Sequence, residues 1–395
     1  MIFHTWLRSY LLNQSQCVVI NKTVSHEVPL TWGVLQGSCI GPVAFLVYIS
    51  AIVNIIANDY KLFNLIEIFV SHEVPLTWGV PQGSCIGPVA FLVYTSAIVN
   101  AIGNDNIKTM AYADDTQLYL SCRPNQESLS QNIALLEQAV SGIRRFMLTH
   151  NLKINDSKTE FLIIGSKHSL NEITSNNIKI SVGQCEISPA ETALNLGVYF
   201  DSKMSMTPHI NNITKKSYFQ LIKIHQIKKY LTKNVIESLI HSFITSNLDY
   251  CNSLLVNLPK KQISKLQKVQ NAAARLITNS SRFTHITPIL RDLHWLPVNE
   301  RVTYKILILV FKCLHGMAPS YLSSKISSYE PRRPLRSQNK NLLVIPEVDN
   351  NYGKRSFYFA GPSMWNSLPE SLRSLDSLSA FKSRLKTHLF RLAYL

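Results

Sequence analysis

The chain has 395 residues, enough for two or three domains around a substantial core. With 46% hydrophobic and 16% charged residues it has an ordinary globular composition, which excludes wholesale disorder. The net charge of +16 is lopsided: residues 1–200 hold 11 Lys+Arg against 14 Asp+Glu, and residues 201–395 hold 29 against 10. The second half therefore suits a polyanion, nucleic acid before an anionic membrane, with a generally basic soluble surface as the plain alternative.

The N-terminal stretch, with Arg8 among mixed polar residues, lacks the apolar core of a secretory signal. The seven cysteines are scattered and never form C-x-x-C, so neither a zinc site nor a disulfide framework follows. A reducing, intracellular setting, nuclear or cytoplasmic, is expected. Residues 6–20 read as a helix-like start running into a strand.

Val24–Asn54 and Val70–Asn100 are the same 31-residue stretch, differing only at Leu35/Pro81 and Ile49/Thr95. Two copies do not make a solenoid, which needs three or more units sharing one stacked core. They read as a recent duplication, or a mis-joined gene, of one functional segment. Each copy has an apolar run, Val43–Val53 and Val89–Val99, too short for a bilayer. A buried helix opening at Pro42 or Pro88 is expected instead, and no membrane partner.

Residues 107–121 alternate on both sides of Tyr112-Ala-Asp-Asp115, which predicts a hairpin with two aspartates at its tip. Adjacent carboxylates on a rigid turn repel one another unless a cation lies between them, and oxygen ligands suit Mg²⁺. Ser128-x-x-Gln131 offers a capping box for a helix whose apolar face runs Leu129, Ile133, Leu136, Val140, Ile143, Met147. Thr159–Ile164, Ile178–Val182 and Leu196–Phe200 read as strands between polar loops. Helices follow at 208–231, 233–246, 260–279 and near 298–315. Residues 329–355 read as loop, and Leu375–Tyr394 as a closing amphipathic basic helix. The helix at 260–279 exposes Lys260, Lys261, Lys265, Lys268 and Arg275, candidate nucleic-acid contacts.

Gly79-Val-Pro-Gln-Gly-Ser84, with Gly87-Pro88, is a glycine-punctuated loop feeding a helix, a place where backbone approaches an anionic ligand closely. In order after it stand the Tyr112–Asp115 hairpin and Leu152-Lys-Ile-Asn-Asp-Ser-Lys-Thr-Glu160. That ordered trio is far more specific than any member.

On these motifs the chain resembles the reverse transcriptases of non-LTR (LINE-type) retrotransposons, most closely the jockey-like group, over nearly its whole length. The resemblance extends to Trp6-Leu-Arg-Ser-Tyr10, Gln16-Cys-Val18, Leu290–Pro297 and Phe311–Pro319. It implies an α+β fold, a partial polymerase palm followed by a helical thumb-like and C-terminal region. The implied divisions are 1–69 with the extra motif copy, 70–205 as palm core, 206–282 as thumb and 283–395 as basic C-terminal region. RNA template, DNA primer and deoxynucleoside triphosphates are the implied partners, and Mg²⁺ or Mn²⁺ the implied cofactor. Asp114 and Asp115 are the implied catalytic metal ligands, with Asp114 as the direct one, and Lys158 the charge partner or proton donor for pyrophosphate. Pro81, Gln82, Gly83, Ser84, Tyr112 and Ala113 would contact nucleotide or template, and Leu196-Gly197 would grip the primer. Two-metal transfer also uses a third acid upstream in this family, and neither Asp59 nor Asp105 fits that place. A catalytically incomplete enzyme, lacking that acid and the fingers, is therefore expected. Pro81 and the spacing to Asp114 favour Val70–Asn100 as the working copy. The alternative is a non-catalytic RNA- or DNA-binding remnant using the basic half.

Overall fold

The computed structural model describes residues 14–16, 19–20, 23–24, 28–30, isolated positions between 95 and 107, 108–174 apart from 113, 114, 124, 151 and 153, and 178–395 apart from 331–340 and 349. The chain divides into two compact units, Met1–Pro189 and Ala190–Leu395. Helices and small antiparallel sheets make up both, a mixture compatible with an α+β polymerase-like fold.

In the first unit four short strands, β1 (Gln14–Gln16), β2 (Val19–Ile20), β3 (Thr23–Val24) and β4 (Val28–Leu30), pair antiparallel as β1–β4 and β2–β3. Thr95, Ile98 and Ile102 are helical, and Ile98 and Ile102 are buried, as expected of the helix following Pro88. β5 (Lys108–Tyr112) and β6 (Asp115–Tyr119) form the anticipated hairpin. The long helix α1 (Gln126–Thr149) follows, and its cap differs from the expected Ser128. Asn125 takes that role three residues earlier, its side chain accepting from the Ser128 amide at 2.9 Å. The α1 face that joins the core is Leu135, Ala139, Ile143, Phe146 and Met147, packed with Ile98, Ile102, Ile107 and Leu118. It shares Ile143 and Met147 with the stripe read from sequence, whose Leu129 is also buried, and adds Leu135, Ala139 and Phe146.

A 3₁₀ turn spans Asp156–Lys158. Thr159–Ile164, expected as a strand, pairs with no strand among the described residues. Its apolar alternation reports partial burial, whereas a ladder also needs a neighbour to receive its hydrogen bonds. The loop expected after it contains a helix, α2 (Lys167–Thr174). β7 (Ile180–Val182) and β8 (Cys185–Ile187) then make a tight hairpin.

The second unit opens with a hairpin, β9 (Thr192–Asn195) and β10 (Val198–Asp201), feeding α3 (Thr207–Ile227). Next come α4 (Lys233–Ile240), a π-helical stretch His241–Thr245, α5 (Ser246–Asp249) and α6 (Lys260–Thr278). α7 (Ile286–Asp292), α8 (Val298–Leu314) and α9 (Ser320–Ser323) follow. The unit closes with α10 (Phe357–Asn366), α11 (Glu370–Arg373) and α12 (Leu378–Tyr394). Helices α3 and α6 run parallel, since Thr207, Asn211 and Lys228 meet Gln262, Lys265 and Asn279 in the same order.

One core runs from Val198 of the hairpin to Leu389 of the last helix, with Phe311, Phe381 and Trp365 among its fully buried side chains. Phe311 stacks on Phe381 at 4.5 Å between centroids. Hairpin, middle helices and terminal helices of this unit share that core.

α7 and α10 were not anticipated, since each contains a proline. Pro288 falls in the first turn of α7, where an amide hydrogen has no helical partner to lose. α10 absorbs Pro362 and is capped by Ser356, whose hydroxyl accepts from the Phe359 amide. Within the expected 329–355 loop, Leu343 is clasped by Asn366, whose Oδ1 accepts from the Leu343 amide at 2.9 Å and whose Nδ2 donates to the Leu343 carbonyl at 2.8 Å.

Candidate functional site

The β5–β6 register pairs Tyr112 with Asp115, Ala111 with Thr116, Met110 with Gln117 and Lys108 with Tyr119. Side chains of a strand alternate between faces, and opposed residues share one. Asp115 therefore stands with Tyr112, Met110, Gln117 and Tyr119. Tyr112 is 64% exposed, Met110 43% and Tyr119 49%, so this is the outward face. Leu118, on the other face, packs against the core and anchors the hairpin. Asp115 itself is exposed. Asp114 and Ala113, between the paired ends, lie outside the described residues, as do Pro81, Gln82, Gly83 and Ser84.

Lys158 ends the 3₁₀ turn with its side chain exposed. Its turn is pinned from α1, where Arg144 forms an ion pair with Asp156. Gly183, at the β7–β8 turn with φ +64°, makes room for this arrangement. A Cβ there would lie 2.6 Å from Arg144 Nη2.

Among the described residues no three His, Cys, Asp or Glu side chains converge on one point. At the hairpin the described donor set is the single Asp115 carboxylate. One carboxylate is fewer oxygen donors than Mg²⁺ takes, and Asp114 beside it lies outside the described residues.

In the second unit Leu196 and Gly197 form the two-residue turn of the β9–β10 hairpin, both with positive φ, +46° and +78°. That pair of left-handed residues matches the twist of flanking strands. The tip presents apolar side chains to solvent: Leu194 is 52% exposed and Leu196 37%. At the base, buried Asp201 accepts from the amides of Ser205 at 3.0 Å and Met206 at 2.8 Å. Arg355 donates to the Met204 carbonyl at 2.5 Å. Burial holds the Arg355 guanidinium below the usual arginine range, with the Asp201 carboxylate pulling the other way. Together they fix the joint where α3 leaves the hairpin, across Met204 and Met206, both left-handed.

Of the predicted cationic stripe on α6, Lys260, Lys261 and Lys268 are exposed. Lys265 instead donates to Asn211 Oδ1 at 2.8 Å, and Arg275 to the Thr284 carbonyl at 3.1 Å. Sequence reasoning missed a second basic face on α3. There Lys223 Nζ sits 4.3 Å over the Phe219 ring, with Lys215 one turn earlier and Ile222 58% exposed alongside. Just beyond, Lys229 lies 4.8 Å over Tyr230, itself 76% exposed. The signal was a Lys–Phe–Lys spacing of four residues with no apolar role on that side of the helix. Exposed aromatics interleaved with lysines suit stacked bases and phosphates.

Residues 60–200 match the sequence model of the family described as reverse transcriptase (RNA-dependent DNA polymerase). No curated protein and no solved structure matches the chain. No helix among the described residues is long and apolar enough to cross a membrane.

Proposed function

We propose that residues 60–200 are the nucleotidyl-transfer part of a non-LTR retrotransposon reverse transcriptase, followed by a basic helical region that holds template and primer. The observation that carries this is the exposed hairpin with Asp115 paired to Tyr112, lying inside the family-matched stretch. In the reaction a primer 3′-oxygen attacks the α-phosphorus of a deoxynucleoside triphosphate, a new P–O bond forms, and pyrophosphate departs. Asp114 and Asp115 are the acids assigned to Mg²⁺ or Mn²⁺, which when bound acidifies the attacking hydroxyl and neutralises the leaving group. Lys158 is assigned to the departing pyrophosphate, and Pro81 to Ser84 with Tyr112 and Ala113 to nucleotide and template.

The aspartates ahead of the hairpin are Asp59 and Asp105, and neither is flanked as a metal-bearing strand position demands. The 395-residue chain alone is therefore expected to be inert in primer extension. The assay is a primed homopolymer template with Mg²⁺ or Mn²⁺. Extension abolished by Asp114→Ala would keep the polymerase reading and overturn the inertness.

A second reading, nucleic-acid binding without catalysis, draws on the 29 Lys+Arg against 11 Asp+Glu in Ala190–Leu395 and on the lysine–aromatic face of α3. Binding should weaken steeply with salt and survive Asp114→Ala. Salt-insensitive or absent binding excludes it.

A further inference from the structure

One side chain braces the tip of the β9–β10 hairpin. Tyr250, the residue after α5, donates its hydroxyl to the Leu196 carbonyl at 2.6 Å. Its ring lies along the turn, since a Cβ added to Gly197 would stand 3.4 Å from Tyr250 Cε1. The turn needs a brace, because Leu196 holds φ +46°, a region that a leucine side chain disfavours. Tyr250 is in turn well fixed. Its amide bonds the Ser246 carbonyl at 3.0 Å, and its neighbour Asp249 is gripped by Arg301.

We infer that Tyr250 is a positioning residue: it holds Leu196 and Gly197 in the left-handed turn that presents the exposed Leu194–Leu196 tip to the recessed 3′ end of a primer. This rests on the reading of the tip as the primer-gripping turn, and adds to it the group that sets its shape. Tyr250 acts through the backbone of Leu196.

The test uses the full chain and two fluorescein-labelled probes of equal duplex length. One is a DNA primer on an overhanging RNA template, the other a blunt DNA–RNA duplex. The readout is the ratio of their affinities by anisotropy, with amide hydrogen exchange at 195–198 measured in parallel. Tyr250→Phe keeps the ring and removes the hydrogen bond. It should lower the preference for the recessed end by about two- to tenfold, leave blunt-duplex affinity unchanged and speed exchange at the tip. On a Leu196→Gly background, which alters the tip itself, the readout is exchange at 195–198, and the same substitution should change it less than about twofold, because glycine adopts this turn without a brace. An unchanged preference in Tyr250→Phe overturns the proposal, and so does an undiminished effect on the glycine background. If the unaltered chain binds both probes alike while Tyr250→Phe still speeds exchange, the primer-gripping reading itself fails, and the proposal with it.

Discussion

Arg301 on α8 grips Asp249, at the end of α5, with both arms of its guanidinium: Nε donates to Oδ1 at 2.8 Å and Nη2 to Oδ2. The two residues are 52 positions apart, so this fork ties the segment after the π-helical stretch to a central helix of the second unit. Paired forks of this kind are stronger than point-charge contacts, though partial exposure of both partners moderates the gain. Arg301→Met or Asp249→Asn should each cost about 1–2 kcal/mol of stability. The double variant should cost little more than either single change, because the two act on one interaction. Thermal melts of the four proteins check this, and strict additivity would show the fork to be energetically idle.

Much of this second unit was legible in the sequence because its helices obey one rule, an apolar stripe at helical spacing. The stretch 260–279 differs from α6 by one residue at its end, and 298–315 likewise from α8. What escaped depended on partners distant in sequence. Thr159–Ile164 has a strand's alternation and no strand paired with it among the described residues. Pro288 and Pro362 look like breakers until their places in α7 and α10 are seen. At the candidate site Leu196-Gly197, read with 198–200 as strand, proves to be the turn of a hairpin, and only the Tyr112–Asp115 hairpin was readable from local chemistry. Tyr250, 54 residues from the turn it braces, was not. Nor did the cationic stripe on α6 reveal that Lys265 and Arg275 are engaged within the protein.

Gly183 is constrained twice over. Its φ of +64° disfavours any side chain, and a Cβ would press to within 2.6–3.0 Å of three Arg144 guanidinium atoms. Arginine tips usually move aside cheaply, but this one is held by Asp156. Gly183→Ala should therefore cost about 1–3 kcal/mol, combining backbone strain with loss of that ion pair. On an Arg144→Ala background the cost should drop to the backbone part, about 1 kcal/mol. Chemical denaturation of the single and double variants decides it, and an equal cost on both backgrounds would leave Arg144 out of the explanation.

His209 lies on the buried side of α3, 2% exposed, and its Nδ1 has no hydrogen-bond partner among the described residues. Burial first, and then the charge of Lys216, push its pKa below the ordinary histidine value of 6.5. Above pH 6.5 the imidazole is neutral folded and unfolded, and its contribution is fully present. Below that pH the unfolded chain takes up a proton that the folded chain resists, so stability falls by at most about 1.4 kcal/mol per pH unit. Melting temperatures between pH 7 and 5 should decline for the unaltered chain and decline less for His209→Leu. Equal slopes would assign acid sensitivity to other groups.

Tyr394, in the final turn of α12, gives the opposite dependence. Its hydroxyl donates to the Trp295 carbonyl at 2.5 Å, tying the last helix to the segment between α7 and α8. Burial, with a smaller push from the Glu300 carboxylate, raises its pKa from 10.0 to about 12. Below pH 10 the phenol is protonated in both states and the hydrogen bond is intact. As pH climbs from 10 to 12 the unfolded chain loses the proton while the folded chain keeps it, so stability drains across that window. Tyr394→Phe should behave differently at the two ends. Near neutrality it loses about 1 kcal/mol with the hydrogen bond, whereas above pH 10 its stability should fall less steeply than that of the parent. The two denaturation curves should thus converge as pH rises. The phenolate absorbance reports the same event directly: burial also raises the Tyr304 phenol, so one fewer tyrosine should titrate late in the variant than in the folded parent. Curves that stay parallel from pH 8 to 11.5 would mean that this phenol ionises as freely in the folded protein as in water.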